Sequence, residues 1–111
     1  MATISSHLLN SVDGTHANGV KVIIHQINSS GEKKIFFKTE TDKAGRILKD
    51  FELSSNDCAC EYEMVCKTAD YFSKKKIVSE IIVKFKMEDP KKKYHLPIII
   101  SPNGYSIWWS K

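Results

Sequence analysis

The stretch YHLPIIISPNGYSIWWSK, residues 94–111, reads as two strands and the turn that joins them. Tyr94, Leu96, Ile98 and Ile100 recur at every second position, the period of a strand that buries one face. His95, Pro97 and Ile99 are thereby turned to the opposite face. Ser101-Pro102-Asn103-Gly104 is a turn signal, and GYSIWWS after it supplies the last strand. Proline lacks the N–H that a sheet interior uses, so Pro97 assigns its strand to an edge, a bulge or an unusual position. Aromatic bulk so late in the chain, Trp108 and Trp109, marks a tail that is tied down rather than frayed.

Working outward, the same period dominates. In EIIVKFKM, Ile81, Val83, Phe85 and Met87 share one face, and Ile82, Lys84 and Lys86 the other. In EYEMVC, Tyr62, Met64 and Cys66 alternate with Glu61, Glu63 and Val65; in KKIFFKT, Ile35, Phe37 and Thr39 oppose Lys34, Phe36 and Lys38. These read as antiparallel strands with one wet face. GVKVIIHQI and ATISSHLL add two more. Turn signals at Asp13-Gly14, Asn18-Gly19, Ser29-Ser30-Gly31, Ala44-Gly45, Ser54-Ser55-Asn56-Asp57 and Asp89-Pro90 separate them. Seven or eight short strands so spaced predict an all-β sandwich. A short helix is predicted in TADYFSKKK, capped by Thr68 or Asp70.

The 111 residues fit one domain, 1–111, large enough to bury a core without metal or disulfide support. Apolar residues at 41% and charged residues at 27% are globular proportions, and no stretch is long enough to span a bilayer. MATISSHLLNSV has no basic start followed by a sustained apolar run, so a cytoplasmic protein is expected. The net charge of +4 comes with lysine runs at 33–34, 74–76 and 91–93, each beside a turn or helix end. That is loop charge, not the single basic face a nucleic-acid binder needs. Cys58, Cys60 and Cys66 form neither a C-x-x-C pair nor a zinc set, and read as reduced structural thiols. Asn28-Ser29-Ser30 matches a glycosylation acceptor, which has no meaning without a secretory route.

Four histidines remain. His25 on a strand and His16 in a turn read as ordinary surface or core residues. His7 lies on the face of its strand opposite Ile4 and Leu8, shared with Ser5, and His95 lies beside Pro97. Lys and Arg total 17, of which Arg46 is the one arginine. A guanidinium just after the turn Asp42-Lys43-Ala44-Gly45 suits planar, multidentate binding as well as it suits a plain surface position. Spacing alone does not bring His7, Arg46 and His95 together.

Taken together, these segments resemble the transthyretin-related family, whose enzymes are 5-hydroxyisourate hydrolases of urate breakdown. SSHLLNSVDGTHANGVKV is similar to the family's Thr-His-Val-Leu-Asp-Thr motif with its Gly-x-Pro-Ala turn. KTETDKAGR resembles its Thr-Asn-x-Asp-Gly-Arg turn, and YHLPIIISPNGYS its Tyr-His-Val-Pro-Leu-Leu-Leu-Ser-Pro-x-Gly-Tyr-Ser block. The resemblance implies two four-stranded antiparallel sheets with one short helix, a homotetramer, and active sites in a channel where dimers meet. It implies that His7, Arg46 and His95 are catalytic, with no cofactor or metal, and that the reaction is hydrolysis of a cyclic amide.

Departures from the family pattern are concentrated in the tail. The family's hydrolases end Tyr-Arg-Gly-Ser, where this chain has Trp108-Trp109-Ser110-Lys111. The first-motif aspartate is Asn10, the turn proline is His16, and the aspartate before Gly-Arg is Ala44. By position Trp108 stands for the tyrosine, and Trp108 and Lys111 become the candidate substrate-binding residues. Adjacent strand residues face opposite ways, so Trp108 is expected at the site, and Trp109 against a neighbouring subunit or the outer sheet. Three readings follow: a hydroxyisourate hydrolase with a diverged tail, a related hydrolase or cyclase for another heterocycle, and a binding protein for a small heterocycle.

Overall fold

The computed structural model describes residues 1–72 and 77–110. Eight strands run β1 (Ala2–Asn10), β2 (Lys21–Ile27), β3 (Lys33–Glu40), β4 (Arg46–Phe51), β5 (Glu61–Cys66), β6 (Ile81–Lys86), β7 (Lys93–Ser101) and β8 (Gly104–Ile107). They form two four-stranded sheets, β4-β1-β7-β8 and β3-β2-β5-β6. Ile4, Leu8, Ile98 and Ile100 from the first sheet and Val22, Ile24, Tyr62, Met64 and Ile81 from the second are fully buried in one core. Each such aliphatic side chain contributes roughly 2 kcal/mol by leaving water, so alternation is enforced wherever a strand borders this layer.

Alternation was read correctly in β1, β6 and β7. β3 departs from it. Ile24 pairs with Phe37 but His25 pairs with Ile35, so the register shifts and Phe36 is an extra residue in a β-bulge. Phe36 and Phe37 both pack on the core, while Ile35 is 52% exposed. β5 departs differently: Glu63 and Val65, expected on a wet face, are buried, Glu63 with His25 and Lys33 at its carboxylate and Val65 between its strand partners Ile23 and Ile82.

One strand pair corrects the expectation of wholly antiparallel sheets: β1 and β7 are parallel. No hairpin joins them, since the whole second sheet intervenes in the chain, so no tight turn dictates their sense. Pro97 consequently sits in an interior strand. Its missing N–H falls on the tail side, where Trp108 N–H donates to the Pro97 carbonyl at 3.4 Å and proline has no bond to return.

Two short helices appear. α1 (Ser55–Ala59), which the sequence suggested was a turn, is held by a capping box in which Asp57 N–H donates to Ser54 Oγ and Ser54 N–H to the Asp57 carboxylate. Gln26 ties this helix down, donating to Asp57 Oδ1 and to the Tyr62 hydroxyl, each at 2.9 Å. α2 (Thr68–Tyr71) is the helix expected in TADYFSKKK, but its N-cap is Lys67 without a side-chain hydrogen bond, so neither Thr68 nor Asp70 caps it; residues 73–76 of that stretch lie outside the described residues. The three cysteines are free, and burial pushes the Cys66 thiol up to about 12.

Candidate active site

The outer face of the β4-β1-β7-β8 sheet carries every described residue that the family resemblance singled out. Register sets them in rows across the strands. Arg46 on β4 is the direct partner of His7 on β1, which is in turn opposite Pro97 on β7. The next row is Leu48, Ser5 and His95, and the one beyond it Asp50, Thr3 and Lys93. Spacing along the chain could not show this, because these residues are brought side by side by strand pairing across the whole length.

Each position has a local cause. Arg46 follows a turn closed by Asp42, whose Oδ1 accepts from the N–H groups of Ala44 and Arg46 at 2.9 Å each. Gly45, at φ +73°, is packed against β1: a Cβ there would be driven into the Leu8 carbonyl oxygen. Leu8 N–H donates to the Gly45 carbonyl at 2.7 Å, so the turn and the histidine strand are locked together one residue from His7. His95 is fixed from β1, with Ser5 Oγ 2.8 Å from its Nδ1, which leaves Nε2 for other partners.

His7 is half-buried and meets a residue that sequence reasoning passed over. Its Nε2 lies 2.9 Å from Nδ1 of His16, with the two ring planes inclined by 26° and 5.0 Å between centroids. His16 belongs to a loop, so no alternation flagged it; the available signal was its occurrence where the family has proline. The His7 pKa is held below the usual histidine value, first by loss of water, then by the Arg46 and His16 charges and more weakly by His95, while a backbone hydrogen bond with Ala44 opposes the shift. Asp50, the carboxylate on this face, is two rows off and accepts a hydrogen bond from Thr3 Oγ1.

The tail continues β8 along β7. Ser110 N–H donates to the His95 carbonyl at 2.9 Å and the two residues form a bridge. With Ile107 packed against the core, alternation puts Trp108 on the outer face with His95 and turns Trp109 inward. Trp109, expected against a neighbouring subunit or the outer sheet, lines within its own chain a cavity of about 350 Å³ at the sandwich edge with Phe85, Tyr94 and Leu96, Lys92 Nζ standing 4.9 Å from its ring centre. A second, open depression of about 660 Å³ lies over His95, Ser5, Leu48 and Ser110. Lys111 lies outside the described residues. Among the described residues no group of three His, Cys, Asp or Glu side chains could hold a metal ion.

Two four-stranded sheets, with two histidines and an arginine on the outer face of one of them, define the class of protein by fold and site. A family model described as HIUase/Transthyretin family matches residues 4–109, and the chain belongs to that family. A protein of Halalkalibacterium halodurans named 5-hydroxyisourate hydrolase is 30% identical over 112 residues, covering 95% of this chain and 94% of its own. Among solved structures, the 5-hydroxyisourate hydrolase of Klebsiella pneumoniae superposes with a TM-score of 0.83 at 24% identity over the full length of both chains. Sea bream transthyretin in complex with thyroxine superposes with a TM-score of 0.84 at 21% identity, covering 96% of this chain and 93% of that one. The hydrolase and the thyroxine-bound transthyretin fit equally well, so the fold does not separate them and the side chains must.

Proposed function

We propose that the protein is a 5-hydroxyisourate hydrolase, which adds water to a cyclic amide and gives 2-oxo-4-hydroxy-4-carboxy-5-ureidoimidazoline in urate degradation. The observation that carries this reading is the placement of Arg46 directly beside His7, with His95 one row away on the same face. A relative bearing that name, similar over nearly the whole chain, supports it.

The chemistry follows from the residues. A histidine whose pKa is depressed is neutral at physiological pH and can take a proton from water as its oxygen attacks the ring carbonyl. The Arg46 fork meets the oxygen on which charge develops, and a planar guanidinium does this with two parallel hydrogen bonds. The proton then passes to the departing ring nitrogen. His95 presents Nε2 to the same space, its Nδ1 being engaged by Ser5. Trp108 offers a face for stacking on a planar heterocycle, and Lys111 a cation in place of the family's arginine. No cofactor enters this scheme.

The same reading makes the protein a cytoplasmic, single-domain homotetramer in which a second copy closes the channel. Leu48, 72% exposed amid the site rows, and Trp108, 47% exposed, are the apolar groups such a contact would cover. Substrate generated in situ with urate oxidase should lose its ultraviolet absorbance faster with micromolar protein than in buffer; equal rates overturn the assignment. Sedimentation should give four times the 12.6 kDa chain mass, and a monomer would remove the shared channel.

A further inference from the structure

We propose that His16 is a positioning residue for His7: the two imidazoles form a dyad that shares one proton between Nε2 of His7 and Nδ1 of His16, and His16 carries the charge of that proton out to solvent. The inference rests on the hydrolase reading and gives the histidine of β1 a partner that the family pattern lacks, since the position is proline there.

Three observations support it. The 2.9 Å contact between ring nitrogens requires one N–H and one lone pair, so each ring fixes the tautomer of the other. With the ring planes only 26° apart and the centroids 5.0 Å apart, the two nitrogens meet edge to edge, as an N–H···N bond needs, and this contact restrains rotation of the His7 ring. His16 is exposed and His7 is half-buried, so a charge resting on His16 is better solvated. The groups facing His7 are Arg46 from β4, His95 from β7, His16 and the Ala44 backbone; the charged and titratable ones are cationic or neutral. The nearby Asp42 carboxylate is committed through Oδ1 to the N–H groups of its own turn.

The proton balance is simple. When His7 takes a proton from water, the new imidazolium stands against a guanidinium. Passing the bridging Nε2 proton to Nδ1 of His16 leaves His7 neutral and moves the positive charge to the exposed ring. Reversal returns that proton to His7 Nε2, and His7 releases the one taken from water to the leaving nitrogen. Nothing else is consumed.

The test uses His16→Pro and His16→Asn in the full-length chain. The bridge between Leu9 and His16 is closed by Asn10 N–H to the Thr15 carbonyl and Ala17 N–H to the Leu8 carbonyl, so the His16 N–H is not part of it and proline is tolerated. The His7 ring is titrated by NMR in the free protein, and kcat is measured against pH. Removing His16 removes one of the causes that hold the His7 pKa down, so its midpoint should rise, the acid limb of the rate profile should move up in pH with it, and plateau kcat should fall about tenfold. An unchanged midpoint in both variants overturns the dyad, whether or not the wild-type protein turns substrate over. A raised midpoint with unchanged plateau kcat overturns the positioning role. Loss of the hydrolase reading alone would appear as an inactive wild-type protein whose His7 midpoint still responds to His16.

Discussion

Two histidines stand on the outer faces of the two sheets in settings of opposite sign. On the first sheet His7 has Arg46 as its strand partner, His16 against its ring and His95 one row off. On the second, His25 pairs with Glu63, whose nearly buried carboxylate lies 3.5 Å from His25 Nδ1 and 3.0 Å from Lys33 Nζ. His25 Nδ1 and Glu63 Oε2 are both buried and neither has an aligned hydrogen bond, although Lys33 donates to Oε1 at 3.4 Å. The first face thus sets a guanidinium and two further imidazoles about His7, with no carboxylate in its row, while the depression next to it is lined by His95, Lys93 and Asp50. The second answers its carboxylate, Glu63, with His25 in the same row and Lys33 in the next. A strand histidine becomes useful through the charge its neighbours leave unanswered, not through its exposure.

The sharpest way to break this contrast is to change one histidine at a time. His7→Asn and His95→Asn should each lower kcat/KM on the order of a hundredfold or more with unchanged circular dichroism. His25→Asn should leave the rate within about twofold, because surface substitutions away from the chemistry have small effects. Near-normal turnover in both site variants would dissolve the distinction between the faces.

Arg46 separates charge from shape. Arg46→Lys keeps the charge that helps to depress the His7 pKa but loses the planar fork, so the rate should fall about tenfold with the acid limb in place. Arg46→Gln loses both, so the limb should also move to higher pH, since His7 is then protonated more readily. A limb that stays put in Arg46→Gln would show that Arg46 does not act on His7. On the opposite face Glu63→Gln should leave turnover unchanged and lower stability by about 1 kcal/mol, a modest figure because Lys33 is half exposed, or roughly 5 °C in Tm. The smallest effect expected is that of Trp108→Tyr, about threefold in KM with kcat held, as suits one stacking contact. A larger loss in kcat would place Trp108 among the groups that act on the transition state.

Most of the sandwich was legible because burial enforces alternation. Ile81 to Met87 and Tyr94 to Ile100 border the core on one side and could be read residue by residue. Where two neighbours share the inside, as Phe36 and Phe37 do across the bulge, period two fails, and nothing local announces the extra residue. α1 carried its Ser54 and Asp57 capping signature, but five residues give no helical period to set beside it. In the site, the outward turn of His7 and His95 followed from the pattern, whereas their proximity came from pairing between residues 90 apart. His16 carries no such signal because loops have no period, and the cavity that Trp109 lines is not legible because it is a property of two sheets together.

The parallel pairing of β1 with β7 also sets when the protein can act. Ser5 and His95 meet across a separation of 90 residues, so the first and seventh strands must find each other after the chain between them has been made. Closing so long a loop costs entropy that only the completed core returns, which makes this contact a late event in folding. A nascent chain released before residue 95 would hold His7 and Arg46 with Leu48 on one side of Ser5 and no His95 on the other. Recovery of activity after dilution from denaturant should therefore trail the recovery of strand signal, and the lag would time the closing of the sheet.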